Sequence, residues 1–200
     1  TRFKSSTNRA PKKFTKGTLG EEFTIWLQLK TIADIGIIGL PNAGKSSLLA
    51  ALSRARPKIA SYPFTTINPN LGVVYYDNKE ITLADIPGLI EGAHKGVGLG
   101  DKFLRHVERC KALLHLIDIT EENLVESYKK VRLELTAYDK SLSKKKEIIL
   151  FNKTDLIDKI EVSKKINNFK NKMKKRCQAI SLFTKQDINM IKKSLIKNVN

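Results

Sequence analysis

The stretch Gly39-Leu40-Pro41-Asn42-Ala43-Gly44-Lys45-Ser46 constrains the fold more than any other feature of the chain. It has the form G-x-x-x-x-G-K-S, follows an apolar run at 32–38, and precedes Leu48, Leu49 and Leu52 at helical spacing. A strand, a glycine-bearing loop and a helix in that order make a cradle for phosphate. Glycine accepts the dihedrals that turn successive backbone N–H groups inward. The helix that follows adds the positive end of its dipole. In such a loop Lys45 is expected to reach the β and γ phosphates, and the Ser46 hydroxyl to bind Mg2+. That ion takes oxygen ligands and keeps several waters, so few protein groups suffice.

The rest of the chain alternates in kind. Residues 71–76, 80–86, 112–119, 147–151 and 178–181 read as strands, the first two joined by a turn at Asp77-Asn78. Residues 46–55, 101–110, 124–139, 161–174 and 187–199 read as helices. This pattern predicts an α/β fold of the P-loop NTPase kind, a mainly parallel sheet with helices on both faces. Ligands in such sheets lie beyond the carboxyl ends of the strands. Upstream, residues 2–20 are basic and turn-rich, and Phe23 to Leu29 alternates like a half-buried strand.

Two further strings stand where strands end. Asp85-Ile86-Pro87-Gly88 places a carboxylate at a strand end near the metal, to act on it through water, and the Gly88 N–H can approach the γ phosphate because no Cβ intervenes. Asn152-Lys153-Thr154-Asp155 follows the strand at 147–151. The Asp155 carboxylate can accept hydrogen bonds from the guanine N1–H and exocyclic amine. Adenine lacks both donors and would leave a buried Asp unpaired, and sites that read donors this way discriminate by roughly 10⁴-fold. Guanine nucleotides, GTP and GDP, are therefore the expected ligands.

The chain of 200 residues has 37 Lys plus Arg against 20 Asp plus Glu, a formal charge of +17. The excess is uneven: residues 1–30 hold 7 basic and 2 acidic residues (net +5), residues 31–139 hold 13 of each, and residues 140–200 hold 17 and 5 (net +12). Basic ends suit a polyanion, but Lys outnumbers Arg 29 to 8, which compositional drift also produces. Both readings stand at this point. The Lys144 to Lys146 run reads as a solvated loop or helix end. No apolar run approaches the roughly 20 residues that span a bilayer, so integral membrane association is not expected. Cys110 and Cys177 have neither disulfide nor zinc spacing and read as small apolar residues of a cytoplasmic protein. His115, within an apolar strand, reads as a satisfied core residue.

The three strings resemble the translation-factor class of P-loop GTPases, and more specific ones resemble the Obg family. These are Tyr62-Pro63-Phe64-Thr65-Thr66, Pro69-Asn70-Leu71-Gly72-Val73-Val74, the run from Ala84 to Glu91, and the glycines at 92, 96, 98 and 100 leading into Phe103-Leu104-Arg105-His106. The opening from Arg2 to Pro11 looks like the end of a glycine-rich β-type Obg domain. The resemblance implies that residues 1–31 close that domain and form a linker, and that residues 32–200 are the GTP-binding G domain. It implies that most of the N-terminal domain, and any C-terminal extension, lie outside this chain, which opens on Thr1 rather than Met.

The resemblance also places Phe64, Thr65, Thr66, Ile67 and Asn68 in the first switch, with Thr66 a second Mg2+ ligand beside Ser46. The second switch runs from Asp85 to about Gly100, and Ser181, Leu182 and Phe183 form a base-side loop, Leu182 standing where the family usually has Ala. Contact there is expected mainly through backbone N–H groups. Leu89 follows the D-x-x-G string where Ras-like enzymes carry a water-orienting Gln, and Asn42 occupies a position at which some relatives hold K+. Lys45, Thr66, Gly88 and Asn42 are thus the residues expected to act on the reaction. The implied role is a slow GTP-hydrolysing switch in assembly of the large ribosomal subunit, a monomer contacting that subunit and its rRNA. A GTP/GDP sensor in stress or cell-cycle signalling, and a nucleic-acid-binding module with an inert nucleotide site, are the alternatives.

Overall fold

The computed structural model describes residues 4–10, 12, 14–25, 33–53, 58–59, 70–85 and 107–199. In chain order the elements are β1 (Ala33–Ile38), α1 (Lys45–Leu52), β2 (Lys58–Ile59), β3 (Asn70–Tyr76), β4 (Lys79–Asp85), β5 (Cys110–Asp118), α2 (Leu124–Tyr138), β6 (Lys146–Asn152), α3 (Lys159–Met173), β7 (Cys177–Ala179) and α4 (Lys185–Val199). Single 3-10 turns lie at Leu142–Lys144 and Thr154–Leu156.

The strands form one sheet in the order β2-β3-β4-β1-β5-β6-β7. β4, β1, β5, β6 and β7 run parallel, while β2 and β3 are antiparallel to their neighbours. β3 and β4 are joined by Asp77 (φ 52°) and Asn78 (φ 57°), two left-handed residues whose twist matches that of a tight hairpin. After β1 the chain builds one side of the sheet, and after β4 it crosses to the other. The crevice at the carboxyl end of β1 is therefore the switch point where ligands bind in such sheets.

Period-two alternation sorts the strand side chains onto two faces. Ile35, Ile37, Leu83, Leu114, Leu116 and Leu150 pack against Leu48, Leu49 and Leu52 of α1 and Ile191, Leu195 and Ile196 of α4. On the other face Ala84 and Leu113 meet Val131 and Leu135 of α2. Ile117, Ile149 and Phe151 meet Tyr128 of α2 and Phe169 of α3. The Phe169 ring stands edge-on to both Phe151 (5.0 Å) and Tyr128 (5.5 Å), fixing α3 to the sheet.

Several expectations change. Phe23 to Ile25 carry no strand, and Phe23 and Ile25 are 77% and 70% exposed; alternation tells which residues would share a face, not that a partner strand exists. Residues 26–29 lie outside the described segments. β7 stops at Ala179 instead of reaching Ser181, because Ile180 and Ser181 turn into the loop described below. The lysine run is not simply solvated: Lys145 Nζ donates to the carbonyls of Glu108 and Cys110, and Lys146 Nζ to that of Asn198. Cys110 opens β5 rather than closing a helix; its burial pushes the thiol up to about 12, so it packs as an inert group.

His115 is fully buried, but only half satisfied: Nδ1 bonds Glu147 Oε1 at 3.1 Å, and Nε2 has no partner among the described residues. Glu147, 5% exposed, also accepts from the Tyr128 hydroxyl at 2.9 Å and Lys175 Nζ at 2.7 Å, with Arg132 at 3.9 Å. Burial pushes the Glu147 carboxyl up, but His115, Lys175 and Arg132 outweigh it and bring the pKa to about 2. A carboxyl depressed on folding stabilises fully above its unfolded value of about 4.5 and loses that stabilisation as pH falls toward 2. We expect Glu147 to account for about 2–3 kcal/mol of acid sensitivity. Urea unfolding between pH 5 and 2 should show a flatter profile for Glu147→Gln than for the unaltered chain; parallel profiles would refute the assignment.

Candidate nucleotide-binding site

The loop between β1 and α1 owes its shape to three residues with positive φ: Gly39 (151°), Asn42 (62°) and Gly44 (93°). A Cβ on Gly39 would lie 2.2 Å from the Leu116 carbonyl oxygen, so only glycine lets the loop leave β1 beside β5. The Ala43 N–H donates to the Leu40 carbonyl at 3.4 Å, closing the curl across Pro41. Lys45 arches back over it, its ammonium donating to the carbonyls of Gly39 (3.0 Å) and Leu40 (2.9 Å). Partial burial lowers the Lys45 pKa, with the Asp85 charge acting in the opposite direction. The result is a positive group held where anionic oxygens would meet inward-facing N–H groups.

Asp85 closes β4 directly opposite Ile37 of β1. It is 3% exposed, and its Oδ2 accepts from the Ser46 hydroxyl at 2.5 Å. Its Oδ1 is buried with no hydrogen-bond partner among the described residues. A buried carboxylate oxygen without a partner, beside a helix-borne hydroxyl, is costly unless a cation satisfies it. This oxygen pair fits a hard divalent ion such as Mg2+.

The base-side loops are tied to the phosphate loop. Asn152, 2% exposed at the end of β6, donates from Nδ2 to the Ala43 carbonyl at 3.0 Å. A Cβ on Gly44 would lie 2.4 Å from that same nitrogen. Lys153 takes a left-handed φ of 66°, and its ammonium donates to Asp118 Oδ2 at 2.5 Å. Burial pushes the Asp118 carboxyl up, but hydrogen bonds from Lys153 and Thr120 win and hold it below its usual range. The Thr154 N–H donates to the Ile180 carbonyl at 3.3 Å. Asp155 is exposed rather than buried as expected, because it sits in the turn beyond the end of β6, with Oδ1 held by the Ser181 hydroxyl at 2.7 Å.

Ser181 is held in turn. Its N–H donates to Asp187 Oδ2 at 2.8 Å, and its Oγ also accepts from the Phe183 N–H at 3.3 Å. Two of the three amides expected to face a base are thus engaged within the loop. Leu182 packs against the core, whereas Phe183 is 88% exposed. Sequence reasoning missed Asp118 and Asp187. Asp118 ends an apolar strand as Asp85 does, a signal that could have found it; Asp187 stands in the first turn of a helix, where an acid has a dipole reason to be. Phe64, Thr65, Thr66, Ile67, Asn68, Ile86, Pro87 and Gly88, with Leu89 and the glycines at 92–100, lie outside the described residues.

A doubly covered sheet with these loops gathered at one end is the G domain of a P-loop GTPase. The sequence pattern of a family described as "50S ribosome-binding GTPase" matches residues 34–153. GTPase Obg of Pelagibacter ubique is 64% identical over 100% of this chain and 61% of its own length; that of Ehrlichia canis is 54% identical over 99% and 58%. The chain belongs to this GTPase family, among its Obg members. It spans about three fifths of the length of these relatives. The structure of an Era variant from Aquifex aeolicus bound to GDP·AlF4− matches with a TM-score of 0.61 at 22% identity, over 85% of this chain and 57% of that one. At that identity the likeness concerns the fold alone.

Proposed function

We propose that this chain binds GTP with Mg2+, hydrolyses it slowly to GDP and phosphate, and acts as a monomeric cytoplasmic switch in large ribosomal subunit assembly. The observation that carries the nucleotide reading is the bond from Asn152 to the Ala43 carbonyl. It couples the loop that ends in Asp155 to the loop that cradles phosphate, so one ligand can engage both. Asp155 reads guanine, the loop from Gly39 to Ser46 holds the phosphates, and Lys45 offsets their charge. Ser46 and Asp85, with Thr66 by resemblance, would hold Mg2+. When bound, that ion neutralises charge on the β and γ phosphate oxygens. Gly88 offers an N–H to the γ phosphate. Residues 1–31 serve as the close of a preceding domain and a linker, and among those described none lies in a helix or strand.

Leu89 cannot orient water, so transition-state charge must be met otherwise. Asn42, exposed on the phosphate loop, supplies an amide oxygen suited to a monovalent cation such as K+. GTP turnover is expected to be faster in K+ than in Na+ buffer, and equal rates would refute this role.

The ribosomal role is supported by the description of the family. Co-sedimentation of this chain with large subunits should be stronger with a non-hydrolysable GTP analogue than with GDP. A chain that stays in the supernatant in both states would replace this role with a sensor acting through protein partners. Among the described residues no helix is long and apolar enough to cross a membrane.

A further inference from the structure

In the last third the acids are unevenly placed. Its five acids are Glu147, Asp155, Asp158, Glu161 and Asp187. Glu147 is buried among His115, Tyr128 and Lys175. The other four stand at the nucleotide end of the sheet, in the base-side loops and the first turns of α3 and α4. At the opposite end Lys170, Lys172, Lys174, Lys175 and Arg176 close α3 and lead into β7, while Lys197 lies in the last turn of α4. Lysines complementing helix dipoles explain one or two of these, but Arg176 lies on no helix.

Three of these cations and the buried Glu147 line a cleft of about 600 Å³ along the amino-terminal halves of β6 and β7. Lys170, Arg176 and Lys197 line it, and none has an acidic partner within ion-pair distance among the described residues. Gln178, also lining it, has a buried Oε1 with no hydrogen-bond partner among the described residues. Lysines of this third stand at both ends, Lys153, Lys159 and Lys185 at the nucleotide end. What sets the cleft apart is that its one acid, the buried Glu147, is already held by Lys175. Lys170, Arg176 and Lys197 thus face a concavity that offers them no acidic partner among the described residues.

We propose that this cleft, at the end of the sheet opposite the nucleotide, binds the phosphodiester backbone of structured RNA. Cations with amide and hydroxyl groups between them suit a ridge of phosphates and the 2′-hydroxyls beside it. Among the described residues no aromatic ring lines the cleft, so they offer no stacking platform of the kind single strands use. A membrane surface is flat and wants apolar side chains to insert; the exposed large hydrophobics of the described residues lie elsewhere. This deepens the ribosomal reading and rests on it for the identity of the RNA, though not for the chemistry.

The test uses the chain with Lys170, Arg176 and Lys197 all changed to alanine, beside a control with Lys129, Lys164 and Lys185 changed. All six are exposed. Affinity for a fluorescent RNA duplex of about 16 base pairs is measured across a salt series, with binding of a fluorescent GDP analogue verifying the fold. The cleft variant should bind RNA about tenfold or more weakly, and its slope of log affinity against log salt should fall by about 2 to 3 for three lost phosphate contacts. The control should bind like the unaltered chain. A cleft variant that binds RNA unchanged, or a control that loses as much, would overturn the proposal. So would adsorption to phosphatidylserine vesicles through the same three residues with no RNA binding. RNA binding through the cleft without co-sedimentation with large subunits would uphold the cleft and overturn the ribosomal reading.

Discussion

Asp155→Asn should lose guanine nucleotides by about 10⁴-fold and gain xanthine nucleotides in their place. The reason lies in what each edge offers. Guanine presents two donors, the N1–H and the exocyclic amine, to a carboxylate that accepts both. With Asn, one acceptor becomes an N–H₂ group, which opposes the exocyclic amine and leaves a donor unpaired. Xanthine carries a carbonyl where guanine carries that amine, and the Asn amide complements it. The scaffold should tolerate the change. Asp155 is exposed, and the Ser181 hydroxyl, 2.7 Å from Oδ1, can still donate to the amide oxygen. The thermal midpoint without nucleotide should therefore move little while specificity inverts. Titration with fluorescent guanosine and xanthosine diphosphates measures this, and an unchanged preference would remove Asp155 from base reading.

Gly44→Ala should damage stability and nucleotide binding together. Its φ of 93° costs a side-chain-bearing residue about 1–2 kcal/mol. The added Cβ would stand 2.4 Å from Asn152 Nδ2, an overpacking that costs about 1–3 kcal/mol more. Asn152 cannot retreat without giving up its bond to the Ala43 carbonyl, so the two loops separate. We expect destabilisation of about 2–5 kcal/mol and weaker binding of GTP and GDP alike. Pairing it with Asn152→Ala removes the clash but not the strain, so the double variant should recover part of the lost stability. A loss that is fully additive in the two variants would show that they do not meet.

How far the chain could be read in advance depended on the kind of signal. The strands β1, β4, β5 and β6 are apolar runs, so their positions were legible, whereas the task of Asp118 at the end of β5 was not. The hairpin at Asp77-Asn78 was legible because both residues tolerate a left-handed backbone. β2, two residues long at Lys58–Ile59, carries no pattern and exists through its pairing with β3. The alternation that opens at Phe23 misled over residues 23–25, since Phe23 and Ile25 stay exposed. Within the site the bond from Asn152 to Ala43 spans 109 residues, and no local spacing announces it. Asp118 and Asp187 act by holding Lys153 and Ser181. Such supporting contacts follow from the meeting of loops, which sequence places in order but not in space. The meeting of Lys170, Arg176 and Lys197 in one cleft likewise follows from how α3 and α4 lie along the sheet.

The central claim is that loops at one end of this sheet form a single site that reads guanine and holds phosphates. Its most direct test is calorimetric titration of the chain with GTP, GDP and ATP in Mg2+ buffer. The expected result is one site per chain for GTP and for GDP, with ATP weaker by about 10⁴-fold. Comparable affinity for ATP, or no binding of any of the three, would contradict it.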